Sequence, residues 1–274
     1  MGFRSWVKRS MGQGGPVVPV VRLHGVIAAD QRPGRLNIES VAPLLKRAFA
    51  VKSAPAVAIV INSPGGSAVQ SRLISKRIRD LADEHDKPVL VFVEDAAASG
   101  GYFIATAGDE IIADPSSIVG SIGVIYAGFG FVETLKKAGV ERRVHTSGRN
   151  KSTLDPFLPE KPEDVERIKR MENDIHQVFI DWVKGRRGAR LKASDDLLFT
   201  GEFWSGVKGL ELGLVDGLGD IYEVLQNRYG EKVELLPISP KRGLLTLPRL
   251  GLAALTGDVA ARIEDRSVWA RLGL

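Results

Sequence analysis

The chain has 274 residues, 44% of them hydrophobic, enough to bury a sizeable core in one large domain or one domain with an appendage. It has no cysteine, which excludes disulfides and a thiolate nucleophile, and its four histidines (His24, His85, His145, His176) lack zinc-ligand spacing, so no metal is expected. The formal charge of +5 is spread among acidic residues nearly everywhere, which reads as a solvated surface with a mild basic bias rather than a nucleic-acid-binding face.

Residues 1–15 are basic and carry no apolar run long enough for a secretory signal, so the expected location is cytoplasmic, with peripheral contact at the inner face of the membrane as the other option. From Val17 to Ile27 the chain is rich in valine and predicts a strand. A Gly/Pro-bearing loop then leads to a helix over 38–49. The alternation continues with a strand over 56–61, a helix over 69–82, a strand over 88–93 and a short helix over 100–107. This succession predicts an α/β fold with buried, largely parallel strands.

Further strands are expected at 110–113, 122–126 and 142–146, with a helix at 131–138 between the last two. The longest uncharged stretch, residues 115–132, approaches the length needed to span a bilayer, but Pro115 and four glycines break it into strand and turn. A long helix is expected from about 162 to 185, because Val165, Ile168, Met171, Ile175, Val178, Phe179 and Trp182 recur at three-or-four spacing. Beyond Gly230 the pattern weakens. Residues 230–274 read as a linker and an amphipathic tail, for which a membrane surface, an oligomer or the chain's own domain are all available partners.

Two glycine-rich corners follow strands, at Asn62-Ser63-Pro64-Gly65-Gly66-Ser67 and at Ala98-Ser99-Gly100-Gly101-Tyr102, where parallel sheets place active sites. In the first, the glycines let backbone N–H groups approach a ligand closely. The second sets Ser99 at the start of a helix with the Gly100 N–H alongside, an arrangement that favours an oxyanion. Taken alone, Ser99 reads first as a helix N-cap.

A serine nucleophile needs a base. His145, on a predicted strand without a carboxylate partner, gives a poor triad. Lys151, in the polar loop Ser147–Ser152 with Arg149 nearby, could serve if held neutral, although a lone loop lysine is ordinarily a solvated charge. The same loop and Gly128-Phe129-Gly130 match nucleotide-binding fingerprints too poorly to support a nucleotide cofactor.

The strings INSPGGS (61–67), AAASGGYFIATAGDEIIADPSSIVGSIGVI (96–125) and SGRNKSTLDPF (147–157), with the run at 201–219, resemble the signature segments of the signal peptide peptidase A family over about residues 16–229. That resemblance implies a ClpP/crotonase-like spiral of parallel strands and helices with a helical C-terminal extension. It also implies a Ser/Lys dyad carried by Ser99 and Lys151, with Ser121 orienting the lysine and Gly66 in the oxyanion hole. Gly100 is inferred from geometry as the second donor. By the same resemblance the partners are peptides, such as remnant signal peptides or other short or unfolded chains, and further copies in a homo-oligomer that shares the dyad between subunits. No cofactor is implied. Family members usually carry a membrane anchor, which the basic, Gly/Pro-rich start of this chain does not resemble. Two other functions use the same fold class: a crotonase-like acyl-CoA enzyme and a non-catalytic oligomeric scaffold. The absence of glutamate from both glycine corners weighs against the first, and the intact Ser99, Lys151 and Ser121 against the second.

Overall fold

The computed structural model describes residues 15–32, 34–240 and 265–274. Strand β1 (Val17–His24) pairs in parallel with β2 (Val57–Ser63), and β2 with β3 (Val89–Ala98). Side chains alternate across these strands. Val18, Val20, Ala58, Val60, Leu90 and Phe92 fill one face, and Val21, Leu23, Ile59, Ile61, Val91 and Val93 the other, so both faces must be covered.

Helices α1 (Ile38–Phe49) and α2 (Ala68–His85) cover the second face through Leu45, Phe49, Ile74, Ile78 and Leu81. Asn37 starts α1 by accepting from the Ser40 N–H at 2.9 Å, with Ser40 returning the bond in a capping box. Helix α3 (Gly100–Ala105) is fully buried and follows β3 directly. Strands β4 (Glu110–Ala113) and β5 (Ile118–Gly120) both pair with β3, β4 on its first half and β5 on its second.

Beyond Gly123 the chain leaves the sheet and forms an arm, residues 124–160, which includes helix α4 (Val132–Lys137). The strands expected at 122–126 and 142–146 do not form. The open edge of β5 is taken instead by β6 (Phe203–Ser205), which pairs with it antiparallel and leaves no ladder for a neighbouring segment. The arm holds itself together through Arg142, which pairs with Asp155 at 2.6 Å and lies over the Phe157 ring. Its apolar side chains at Ile125 and Phe129 are 68% and 81% exposed.

The long helix is α5 (Pro162–Arg187), entered through Pro162 at its first turn and acidic there at Glu163 and Asp164. Its far end docks on α3. Trp182 stacks on Phe103 and donates to the Thr106 hydroxyl at 2.9 Å, and Arg186 donates to the Thr106 and Gly108 carbonyls. After α6 (Asp195–Leu198), α7 (Gly206–Leu212) and β7 (Gly217–Leu218), helix α8 (Ile221–Tyr229) covers the first face of the sheet with Ile221 and Leu225.

The sheet continues past the boundary expected at residue 229. Strand β8 (Glu234–Pro237) pairs in parallel with Val17–Val20, so the first part of the 230–274 segment is sheet rather than linker. The eight strands run β6-β5-β3-β2-β1-β8, with β4 branching from β3 and β7 pairing with β4, in a ClpP/crotonase-like α/β architecture. Residues 265–270 are helical, and Asp265 pairs with Arg35 at 2.8 Å. Residues 241–264 of the tail read from the sequence, together with residues 1–14, lie outside the described residues. Among the described residues no helix is long and apolar enough to cross a membrane.

Candidate active site

The first glycine corner is held by Ile27. Its N–H donates to the Gly65 carbonyl and its carbonyl accepts from the Ser67 N–H, both at 2.8 Å, forming a parallel bridge centred on Gly66. Because consecutive residues of an extended chain point their backbone groups in opposite directions, the Gly66 N–H faces away from Ile27. Its nitrogen lies close to Gly100: a Cβ placed on Gly100 would stand 3.4 Å from it. Both corner glycines have backbone angles that side chains disfavour, φ +105° at Gly65 and +137° at Gly66.

The second corner is in van der Waals contact with the first. A Cβ on Gly65 would lie 2.8 Å from the Ser99 Cβ and 2.9 Å from the Gly100 nitrogen. Two backbone donors, at Gly66 and Gly100, therefore stand beside Ser99. That is the donor set an oxyanion hole requires.

Ser99 is not the helix cap that propensity suggests. It adopts φ 51° and ψ −120°, and its side chain makes no capping hydrogen bond to α3. Its own N–H donates to the Gly120 carbonyl at 2.8 Å and its carbonyl accepts from the Phe103 N–H at 2.9 Å, so the backbone is fixed while the hydroxyl is left for other work. A strained strand-to-helix junction of this kind costs about 1–3 kcal/mol and is found where a side chain has to be presented.

Ser121 follows directly on the β3–β5 pairing. Ala98 stands opposite Gly120, so Ser121 comes level with Ser99, and it too has positive φ (54°), pinned by its N–H to the Glu202 carbonyl at 2.7 Å. Lys151 is placed differently. It is exposed on the arm, in a loop ordered by Arg167, which donates to Asn150 Oδ1 (2.9 Å) and to the Thr153 hydroxyl (3.2 Å). Its ammonium has no hydrogen-bond or ion-pair partner among the described residues, and no bond joins it to Ser99 or Ser121 within the chain. The single chain thus assembles Ser99, Ser121, Gly66 and Gly100, with Lys151 exposed and not bonded to them.

Residues not singled out from the sequence also build the site. Ile27 sits in an ordinary apolar run with no local signal of its role. Asn62 and Ser63 lie inside the first glycine-corner string, where the signal is a polar side chain at the end of an apolar strand. Among the described residues no three His, Cys, Asp or Glu side chains are placed to hold a metal ion. A hollow of about 580 Å³ lies elsewhere, between Arg22, His24, Asn37, Leu44 and Ile238, and none of the predicted site residues lines it.

The model of peptidase family S49 matches residues 82–234, more than half of the chain, and takes in Ser99, Ser121 and Lys151. The chain belongs to peptidase family S49. Among its relatives, a putative signal peptide peptidase SppA of Enterococcus faecium is 28% identical over 238 residues, covering 84% of this chain and 69% of that protein. A Brucella melitensis protein named Na(+)/H(+) antiporter NhaA is 58% identical over 273 residues, 94% of this chain. The chain spans only 37% of that protein, and the antiporter name is that protein's own. The structure of a membrane-bound stomatin-specific protease superposes with a TM-score of 0.52 at 18% identity, covering 83% of this chain and 99% of that one, which supports the S49 peptidase fold.

Proposed function

We propose that this S49 protein is a serine endopeptidase in which Ser99 attacks the scissile carbonyl and Lys151 is the general base. The observation that carries the reading is the meeting of the two corners: an uncapped, strained Ser99 beside the inward N–H of Gly66 and the N–H of Gly100. In the first step Lys151 takes the Ser99 hydroxyl proton as Oγ adds to the carbonyl, and the two N–H groups receive the developing oxyanion. The lysine then gives the proton to the leaving amine, and water, activated the same way, hydrolyses the acyl-enzyme. Ser121, level with Ser99 on the neighbouring strand, orients the lysine amine.

A lysine acts as base only when burial or nearby positive charge disfavours its ammonium form. Lys151 is exposed on the arm of the single chain. The missing burial is supplied by a second subunit, so the dyad forms between copies of the chain in a homo-oligomer. The substrates in this reading are short or unfolded peptides, remnant signal peptides among them.

The test is a mixing experiment. Ser99→Ala and Lys151→Ala each abolish peptide cleavage while leaving assembly intact. Mixing and reassembling the two dead variants restores about a quarter of the wild-type turnover, the share of sites that receive an intact serine from one copy and an intact lysine from another. Undiminished turnover in either single variant overturns the reading. No recovery on mixing overturns the sharing between subunits.

A further inference from the structure

Strand β3 changes partner in mid-course, and the change is made opposite a single residue of β2. Ile61 faces Val93 and Ser63 faces Ala97, so Asn62 alone stands against Glu94, Asp95 and Ala96. An insertion of this kind bends a strand and leaves backbone groups without ladder partners. Here it carries β3 from its pairing with β4 at residues 90–93 to its pairing with β5 at residues 96–98. Ser99 is the next residue.

The side chains around the bulge replace the missing ladder. Asn62 Oδ1 accepts from the Ala96 N–H at 3.3 Å, and Asn62 Nδ2 donates to the Asp95 carboxylate. From the other side the buried Ser117 hydroxyl is shared between the Val93 and Glu94 carbonyls. Asn62 also belongs to the first corner: its carbonyl accepts from the Gly25 N–H at 2.9 Å, and Ser63, the residue after it, donates its hydroxyl to the Gly25 carbonyl at 2.7 Å. From there the backbone runs through Pro64 to Gly65 and Gly66.

We infer that Asn62 is a positioning residue that sets the two halves of the Ser99 site in register, its backbone leading into the Gly66 corner and its side chain fixing the bulge that delivers Ser99 and Gly100. Gly66 and Gly100 follow two strands whose regular pairing stops at Ile61–Val93 and resumes only at Ser63–Ala97, and Asn62 is covalently part of one strand and hydrogen-bonded to the other across that gap. A displacement of the order of 1 Å between them removes the oxyanion geometry without unfolding either strand. This inference rests on the peptidase reading for its catalytic consequence, but the joint itself can be read without activity.

The experiment exchanges the two partners. Asn62→Asp keeps an acceptor for the Ala96 N–H but sets two carboxylates face to face. The double exchange Asn62→Asp/Asp95→Asn restores a donor and an acceptor with their places reversed. In the single variant kcat for a model peptide falls about 100-fold with KM within about twofold of wild type. Phosphonate labelling of Ser99 slows in parallel, and hydrogen exchange of the Ala96 and Ser99 amides accelerates. The double exchange returns kcat to within about threefold of wild type and restores slow amide exchange. Wild-type kcat and exchange in the single variant, or a double exchange as impaired as the single, overturns the role of Asn62. If the single variant does not fold, the double exchange against wild type decides. If the wild type neither cleaves nor labels, the peptidase reading fails, and the amide-exchange comparison still tells whether Asn62 holds the joint.

Discussion

The backbone N–H of Ser99 donates to the carbonyl of Gly120 at 2.8 Å, and this bond fixes Ser99 at φ 51° and ψ −120°. A serine held there stores strain, because these angles suit glycine. Ser99→Gly relieves it and Ser99→Ala does not. Denaturant titration is expected to find the glycine variant more stable than the alanine variant by about 1 kcal/mol or more, with neither turning over peptide. Equal stabilities would mean that the site stores no strain.

Gly66 is irreplaceable for a different reason. A Cβ there would stand 2.0 Å from the Ile27 carbonyl oxygen, which accepts the Ser67 N–H, and φ is +137°. Gly66→Ala therefore breaks the bridge to Ile27 and turns the Gly66 N–H out of the proposed oxyanion hole. The expected loss in kcat is on the order of 100-fold or more, with substrate affinity less affected, in steady-state kinetics.

These two residues also mark what was legible in the sequence. The strands of the sheet could be read because Val17–Val21 and Val57–Ile61 are buried on both faces, which requires unbroken apolar runs. The corners could be read because glycine pairs after such runs have few other uses. The uncapped state of Ser99 could not, since local propensity favours a cap and only the pairing of residues 96–98 with β5 forces the positive φ. The strands expected at 122–126 and 142–146 failed because apolar residues such as Ile125 and Val144 lie on an exposed arm rather than in a ladder. Strand β8 has no local signal for the opposite reason: its four residues gain their identity from a partner more than 200 positions away.

Acid stability is expected to depend on Asp216. Burial raises its pKa, but the Arg187 guanidinium, hydrogen-bonded to both carboxylate oxygens, outweighs that and holds the pKa below the ordinary 3.8. A depressed carboxylate pKa adds stability above the unfolded value that is lost as pH falls through the folded one. In Asp216→Asn that loss below about pH 4 should flatten in urea midpoints measured against pH. At neutral pH the variant loses about 3–5 kcal/mol, because Arg187, only 1% exposed, keeps a buried charge without its counter-ion. An unchanged acid limb would show that other carboxylates govern it.

The arm is where assembly should be most sensitive. Ile125 and Phe129 are large, apolar and 68% and 81% exposed, and they sit on the same excursion from the sheet as Lys151. Neither packs into the core of its own chain, so charged replacements cost the fold little, whereas an interface between copies would have to bury a charge. Ile125→Asp and Phe129→Asp are therefore expected to lower the mass seen by light scattering and to cut peptide turnover in step, with the thermal midpoint of the dissociated chain nearly unchanged. Adding Ser99→Ala protein should partly rescue them, because its intact arm can bring Lys151 to the intact Ser99 of an arm-damaged neighbour. A variant that dissociates yet keeps full turnover would place Ser99 and its base in one chain and overturn the sharing between subunits.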